Sequence, residues 1–145
     1  MTKAMRALTV LLALALAQVL APTSPAEATI QRLGYHCEGA QAVRCAWVNH
    51  DTTYNRVRGY GSVQDTTSGA DAVQVSVTLL RWNSSYDRWE AVSSGGPASD
   101  YEYVQVGSGL VTCGNDQMFR ADVVWQWNGT DAGVVRSGTA ITYFC

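Results

Sequence analysis

His50-Asp51 sets an imidazole beside a carboxylate, the pairing from which a general base is built, with Thr52 and Ser62 as candidate hydroxyl nucleophiles. The pair lies in "NHDTTYN" (Asn49 to Asn55), a polar stretch that reads as a turn, and adjacency in sequence is not the geometry of a triad. Asp87/Glu90 and Asp100/Glu102 are carboxylate pairs of the kind a glycosidase places on either side of a cleft. In an extended segment Asp100 and Glu102 share a face, and a solvated face is the expectation there. Asp65 and Asp71 in "DTTSGAD" offer oxygen ligands for calcium, without the dense D-x-D spacing of a dedicated site. The chain has no G-x-S-x-G, H-E-x-x-H, P-loop or dinucleotide fingerprint. The expectation is a protein without catalysis, resident metal or cofactor.

The aromatic residues rise above this background. Trp47, Trp82, Trp89, Trp125 and Trp127 accompany seven tyrosines. Trp82 and Trp89 flank the turn "NSSYD", and Trp127 borders "NGTDAG"; tryptophans near strand ends suit contact with a sugar ring or a protein partner, because they bury a large area at little entropic cost. Trp82, Tyr86, Trp89 and Trp127 are therefore the candidate ligand-contacting residues. Phe119, Ala121, Val123, Trp125 and Trp127 alternate with Arg120, Asp122 and Gln126, which points Trp125 into a core and leaves Trp127 at its rim. Asn83 and Asn128 match N-x-S/T and read as turn residues.

Four cysteines, Cys37, Cys45, Cys113 and Cys145, imply two disulfides in an exported small domain, with three connectivities open. Without a C-x-x-C, and with His36 and His50 as the histidines, a zinc site is not expected. Export is expected from the first 28 residues. Lys3 and Arg6 precede the apolar run Ala7 to Leu20, and Ala26-Glu27-Ala28 forms an A-x-A cleavage site. The apolar run is too short for a membrane span, and its Ala-rich style suggests a bacterial exporter. Residues 29–145 would then form one domain with eight arginines, no lysine and eleven acidic residues, a formal charge of −3. That balance argues against nucleic acid and, once the signal is cleaved, against membranes as partners.

Period-two alternation is what must position these residues. "AVRCAWV" places Val43, Cys45 and Trp47 on one face, expected to be the core face of a first strand after a loose lead-in from Thr29 to Tyr35. "RVRGYGSVQ" puts Val57, Gly59, Gly61 and Val63 on one side, and its inward glycines suggest close approach by another element or room for a ligand. Val73, Val75, Val77 and Leu79 alternate in the longest strand. With Ser84-Ser85 as turn centre, Trp82 would face Asp87 and Leu80 would face Trp89. "SSGGPASD" reads as a loop. In the last hairpin, pairing Trp127 with Val134 would bring Cys145 near Asp116 and so near Cys113. The fold expected is all-β: a single antiparallel two-layer sandwich of about 7–8 strands, with a small barrel as competitor.

At "CAWVNHDTTYNRVRGYGSV" and "FRADVVWQW" the chain resembles small secreted actinobacterial proteins that look like single immunoglobulin-like sandwiches. The resemblance implies a fold and a location and no activity. "CAWV" (Cys45 to Val48) is also similar to a segment of the neocarzinostatin-type chromoproteins, two-disulfide sandwiches that carry an enediyne; Cys113 and Cys145 stand too far apart for that family's second short loop. The functional expectation is a secreted, non-enzymatic binding module for an extracellular protein or glycan. A small-molecule carrier, or an inhibitor of a secreted hydrolase, is the alternative.

Overall fold

Alternation along the chain becomes ten strand segments in a computed structural model that describes residues 29–129, 131–143 and 145. The expected signal segment 1–28, with its cleavage point, lies outside the described residues. The segments are β1 (Ile30–Glu38), β2 (Ala42–Asp51), β3 (Arg56–Asp65), β4 (Ala72–Asn83), β5 (Arg88–Tyr101), β6 (Tyr103–Gly107), β7 (Val111–Thr112), β8 (Gln117–Trp127), β9 (Asp131–Arg136) and β10 (Ala140–Thr142). Sheet A runs β1-β2-β3-β6, with β7 also on β3. Sheet B runs β10-β8-β4-β5, with β9 also on β8, and every pairing is antiparallel. The order β5-β4-β8-β9 matches C′-C-F-G of an immunoglobulin domain, and β2-β3-β6 matches A-B-E. β6 and β7 share one strand position and β9 and β10 another, so ten segments fill eight positions.

Both interruptions are closed in the same way. Where β6 gives way to β7, the Gly59 N–H donates to the Ser108 hydroxyl at 3.0 Å and the Ser108 N–H donates to the Gly59 carbonyl at 2.9 Å. Where β9 gives way to β10, the Ala121 N–H donates to the Ser137 hydroxyl at 2.9 Å and the Ser137 N–H returns to the Ala121 carbonyl at 2.9 Å. Each buried serine replaces the backbone acceptor that a continuous strand would supply, so the Gly59 and Ala121 N–H groups keep a partner. Each is followed by glycine, in "GSG" and "RSG".

The core lies between the sheets. Val57 and Val63 of β3 meet Val73, Val75, Val77 and Leu79 of β4 and Phe119, Ala121 and Val123 of β8. Burying a side chain such as Leu79 or Phe119 contributes about 1.5–3 kcal/mol. The inward glycines of β3 let the sheets come together. A Cβ on Gly61 would stand 2.5 Å from Val123 Cγ1, and one on Gly59 would stand 3.4 Å from Ala121 and Leu79. The close approach expected there is made by sheet B, whose Leu79, Ala121 and Val123 fill the space over both glycines.

Several local expectations change. Thr29 to Tyr35 is not a loose lead-in: β1 pairs with β2 across a bulge at Gly34–Tyr35. Gly34 has φ +59 and packs so closely on Gly138 that a Cβ would strike the Gly138 carbonyl. In β2 it is Ala42, Ala46 and Val48 that enter the core, while Val43, Cys45 and Trp47 lie on the outer face of sheet A. "SSGGPASD" is no loop but part of the edge strand β5, whose pairing with β4 shifts register twice. The β4–β5 turn spans Ser84 to Asp87, with Asp87 at φ 52, so Trp82 pairs with Trp89 and Leu80 with Ala91. In the last hairpin Trp127 pairs with Asp131 and Val124 with Val134, a shift of three residues from the expected register. The disulfides are Cys37–Cys45, between directly paired residues of β1 and β2, and Cys113–Cys145. Loops of 8 and 32 residues correspond to about 2.5 and about 3.7 kcal/mol of stabilisation by chain entropy. Among the described residues no helix is long and apolar enough to cross a membrane.

Candidate functional site

The β4–β5 hairpin gathers three of the four candidate contact residues. Even-numbered residues of β4 point away from the core, so Trp82 stands on the outer face of sheet B. Its cross-strand partner Trp89 shares that face, and the two rings meet edge to face with centroids 5.4 Å apart and planes at 66°. Both are half-buried. The Arg120 guanidinium, held by Asp122 at 2.8 Å, sits 4.8 Å from the Trp89 ring centroid. At the turn, the Ser85 N–H donates to Asn83 Oδ1 at 3.0 Å, and Tyr86 projects with 68% of its surface exposed.

Polar groups fix this hairpin. The Glu90 carboxylate accepts from Asn83 Nδ2 at 2.9 Å and from Arg88 Nε and Nη2 at 3.0 and 2.8 Å. The Asn83 amide above all, then Arg88, holds its carboxyl below the usual range, with the Arg81 charge adding to the effect. A cleft of about 420 Å3 opens beside Trp82, between the hairpin and the loop entering β8; Arg81, Ser84, Asp116, Gln117 and Met118 also line it. Arg81 has no ion-pair partner among the described residues.

Trp127 does not join this group. It pairs with Val73 at the far end of β4, nine residues from Trp82, a span of about 30 Å. It is half-buried and packs on the core beside Trp125, which is 8% exposed and capped by the Arg44 guanidinium at 4.3 Å. Asp65 lies below Trp127. Its carboxylate accepts from the Thr67 N–H and hydroxyl at 2.9 and 2.8 Å and from the Asp71 N–H at 3.0 Å. The Thr67 N–H leads these donors in holding the Asp65 carboxyl below its usual value; the Trp127 indole N–H adds to them without meeting hydrogen-bond geometry. A carboxylate turned onto the donors of its own loop is not offered to calcium.

The catalytic candidates stay apart. His50 lies on the core side of β2 and Ser62 on the outer face of sheet A, opposite Cys45. Asp51 caps the following turn through the Thr53 and Tyr54 N–H groups at 3.0 and 3.2 Å, and the Thr52 hydroxyl donates to the Thr29 carbonyl at 3.1 Å. Glu102 does not share a strand face with Asp100: it sits at φ 67 in the one-residue step between β5 and β6. Asp87 is the positive-φ turn residue, and Glu90 is fully engaged.

A second aromatic cluster, built on Trp47, occupies the outer face of sheet A. Trp47 is 4% exposed there, stacked on Tyr60 at 5.4 Å and 6°, with Tyr35 tilted at 5.9 Å and the Arg32 guanidinium at 4.9 Å. The Tyr35 hydroxyl reaches Cys45 Sγ at 3.6 Å. One further juxtaposition joins residues 95 apart in sequence, out of reach of any local pattern. His50 Nε2 lies 3.1 Å from Cys145 Sγ, so His50, Cys113 and Cys145 form one cluster. The sulfurs are bonded to each other and are not thiolate ligands in this state. Burial holds the His50 imidazole below its ordinary pKa, against the opposing Asp51 charge. Comparison with protein-family models and with the curated proteins finds no match.

Proposed function

We propose that this chain is a secreted bacterial binding module without catalytic activity, which contacts an extracellular glycan or protein through the β4–β5 hairpin. The carrying observation is the Trp82–Trp89 pair: two large aromatic side chains on an outer sheet face, half-buried, with Arg120 over the Trp89 ring and the exposed Tyr86 at the turn. A half-exposed aromatic pair on a rigid hairpin is a pre-ordered contact surface. The reading without catalysis is supported by the carboxylate pairs: Glu90 is taken up by Asn83 and Arg88, and Glu102 shares no strand face with Asp100. Export is supported by the signal-like leader and two disulfides. The carrier and inhibitor alternatives stand second: sheet B fills the space over Gly59 and Gly61, and of the two segments that could serve as inhibitory loops, "NHDTTYN" and "SSGGPASD", the second is strand.

The test is binding of the purified protein to arrays of extracellular polysaccharides and secreted hydrolases. Binding is expected to be lost on combining Trp82→Ala, Tyr86→Ala and Trp89→Ala, and retained in Trp127→Ala. Retention by the triple variant would place the contact surface elsewhere.

A further inference from the structure

The cleft beside Trp82 has a chemical bias that the aromatic pair does not. Its volume, about 420 Å3, falls within the roughly 300–1,000 Å3 typical of small-ligand sites and suits one or two sugar rings. Trp82 supplies an aromatic wall and Met118 a second apolar contact. The polar groups divide into engaged and free. Asn83 is committed to Glu90 and to the turn, and Gln117 Oε1 accepts from the Gly114 N–H at 3.1 Å, which leaves the Gln117 amide N–H2 as a donor. The Ser84 hydroxyl is exposed at the rim. The Asp116 carboxylate lines the cleft, yet Arg81 forms no ion pair with it or with any other described acid.

Arg81 is thus a partly buried arginine lining the cleft, paired across the hairpin with Glu90, whose carboxylate is taken up by Asn83 and Arg88, and in ion-pair contact with no described carboxylate. Arginine presents a planar fork in the geometry that matches a carboxylate through two parallel hydrogen bonds. Asp116 accepts from hydroxyls, and Gln117 donates to them. An aromatic wall, one carboxylate-binding fork and hydroxyl-binding groups in one cleft describe a uronic acid ring. Resting on the hairpin as the binding surface, we infer that this cleft recognises an acidic polysaccharide of uronate residues, with Arg81 on the sugar carboxylate and Trp82 against the ring.

The experiment compares matched glycans. The purified protein is titrated with oligogalacturonate, oligoglucuronate and alginate oligosaccharides, and with the carboxyl-reduced form of each, by calorimetry. At least one acidic oligosaccharide is expected to bind about tenfold or more tightly than its reduced counterpart, the scale of a charge-assisted hydrogen-bond pair. Arg81→Gln is expected to bring the two forms within about twofold of each other, Arg81→Lys to retain part of the preference, and Trp82→Ala to weaken both forms. Near-ultraviolet circular dichroism checks that each variant keeps its fold; should Arg81→Gln unfold, the acidic-against-reduced comparison on the unaltered protein decides alone. Equal binding of acidic and reduced forms overturns the uronate assignment and leaves the hairpin surface intact. Binding of no uronate, with a protein partner lost in the Trp82/Tyr86/Trp89 variant, overturns it as well. Indifference of every bound ligand to that triple variant overturns the hairpin reading itself.

Discussion

The two outer faces of the sandwich use tryptophan in opposite ways. On sheet A, Trp47 is roofed by Tyr35, Tyr60 and Arg32 and is nearly inaccessible, although it points away from the core between the sheets. On sheet B, Trp82 and Trp89 have each other, with one guanidinium over Trp89, and both stay partly exposed. Residue type and outward orientation are alike; Trp47 stands mid-strand while Trp82 and Trp89 stand at strand ends, and the difference that follows is the number of neighbours that lean over the ring. Tyr35 comes from the β1 bulge and Tyr60 from the pairing of β3 with β2, so the roof over Trp47 is assembled from both flanking strands. Trp82 has β5 on one side and, on the other, only the last turns of pairing with β8, where Arg81 meets Phe119. A tryptophan outside the main core is therefore structural or available according to whether both neighbouring strands reach over it.

The sharpest test of that contrast is truncation. Trp47→Ala should cost about 3–5 kcal/mol of folding stability in urea titrations, as for a core tryptophan. The Trp82→Ala and Trp89→Ala variants should each cost less, about 1–2 kcal/mol, because both rings are already partly in water. Equal costs would erase the distinction. Next in size is the covalent support of sheet A's face: replacing Cys37 and Cys45 by serine should remove about 2.5 kcal/mol and expose Trp47 to acrylamide quenching, since Tyr35 leans on that disulfide. The serines at the strand interruptions form an internal control. Ser108→Ala in sheet A and Ser137→Ala in sheet B should each cost about 1–3 kcal/mol by leaving a buried N–H unpaired. Similar values would show that the sheets differ in their outer faces rather than in their frameworks.

The smallest effect expected is on pH dependence, and it concerns the core side of sheet A rather than either face. The His50 pKa is lowered on folding, so the unfolded chain binds the proton first. Stability is then complete above about pH 6.5 and declines as pH falls from there towards the folded pKa. Asp65 is also lowered; its contribution is present above the ordinary carboxylate pKa and is lost as pH falls through the folded value, below about pH 4. Denaturation midpoints between pH 8 and 3 should show both declines, and His50→Gln should remove the first alone.

The sequence was legible where one face of a strand is apolar and the other is not. β8 alternates Phe119, Ala121, Val123 and Trp125 against Arg120, Asp122 and Gln126, and its core face follows directly. β3 likewise betrayed its inner face through Gly59 and Gly61. β2 misleads because both of its faces are apolar: Ala42, Ala46 and Val48 on one, Val43, Cys45 and Trp47 on the other. Which side meets sheet B depends on partners distant in sequence. β1 has little alternation of its own and owes its form to its pairing with β2 and the Cys37–Cys45 bond. At the candidate site, Trp82 and Trp89 stood out as turn-flanking tryptophans, but their direct pairing depended on a four-residue turn with Asp87 at positive φ. The opposing wall of the cleft, Asp116 to Met118, comes from the start of β8 and the turn before it, which no local pattern connects to the hairpin.

The Cys113–Cys145 bond carries a mechanical consequence. It closes a loop that contains all of β8, β9 and β10. A pull delivered through Cys145 passes across the sulfurs directly into the segment behind β7, and the enclosed strands bear none of it. β8, which lies at the centre of sheet B and carries Arg120 behind the tryptophan pair, is thereby unloaded under tension. What the force meets first is the two-residue strand β7 on β3, held at Arg56–Thr112 and Val57–Val111. Stretching would peel sheet A from that margin while the hairpin and its neighbouring strand keep their shape.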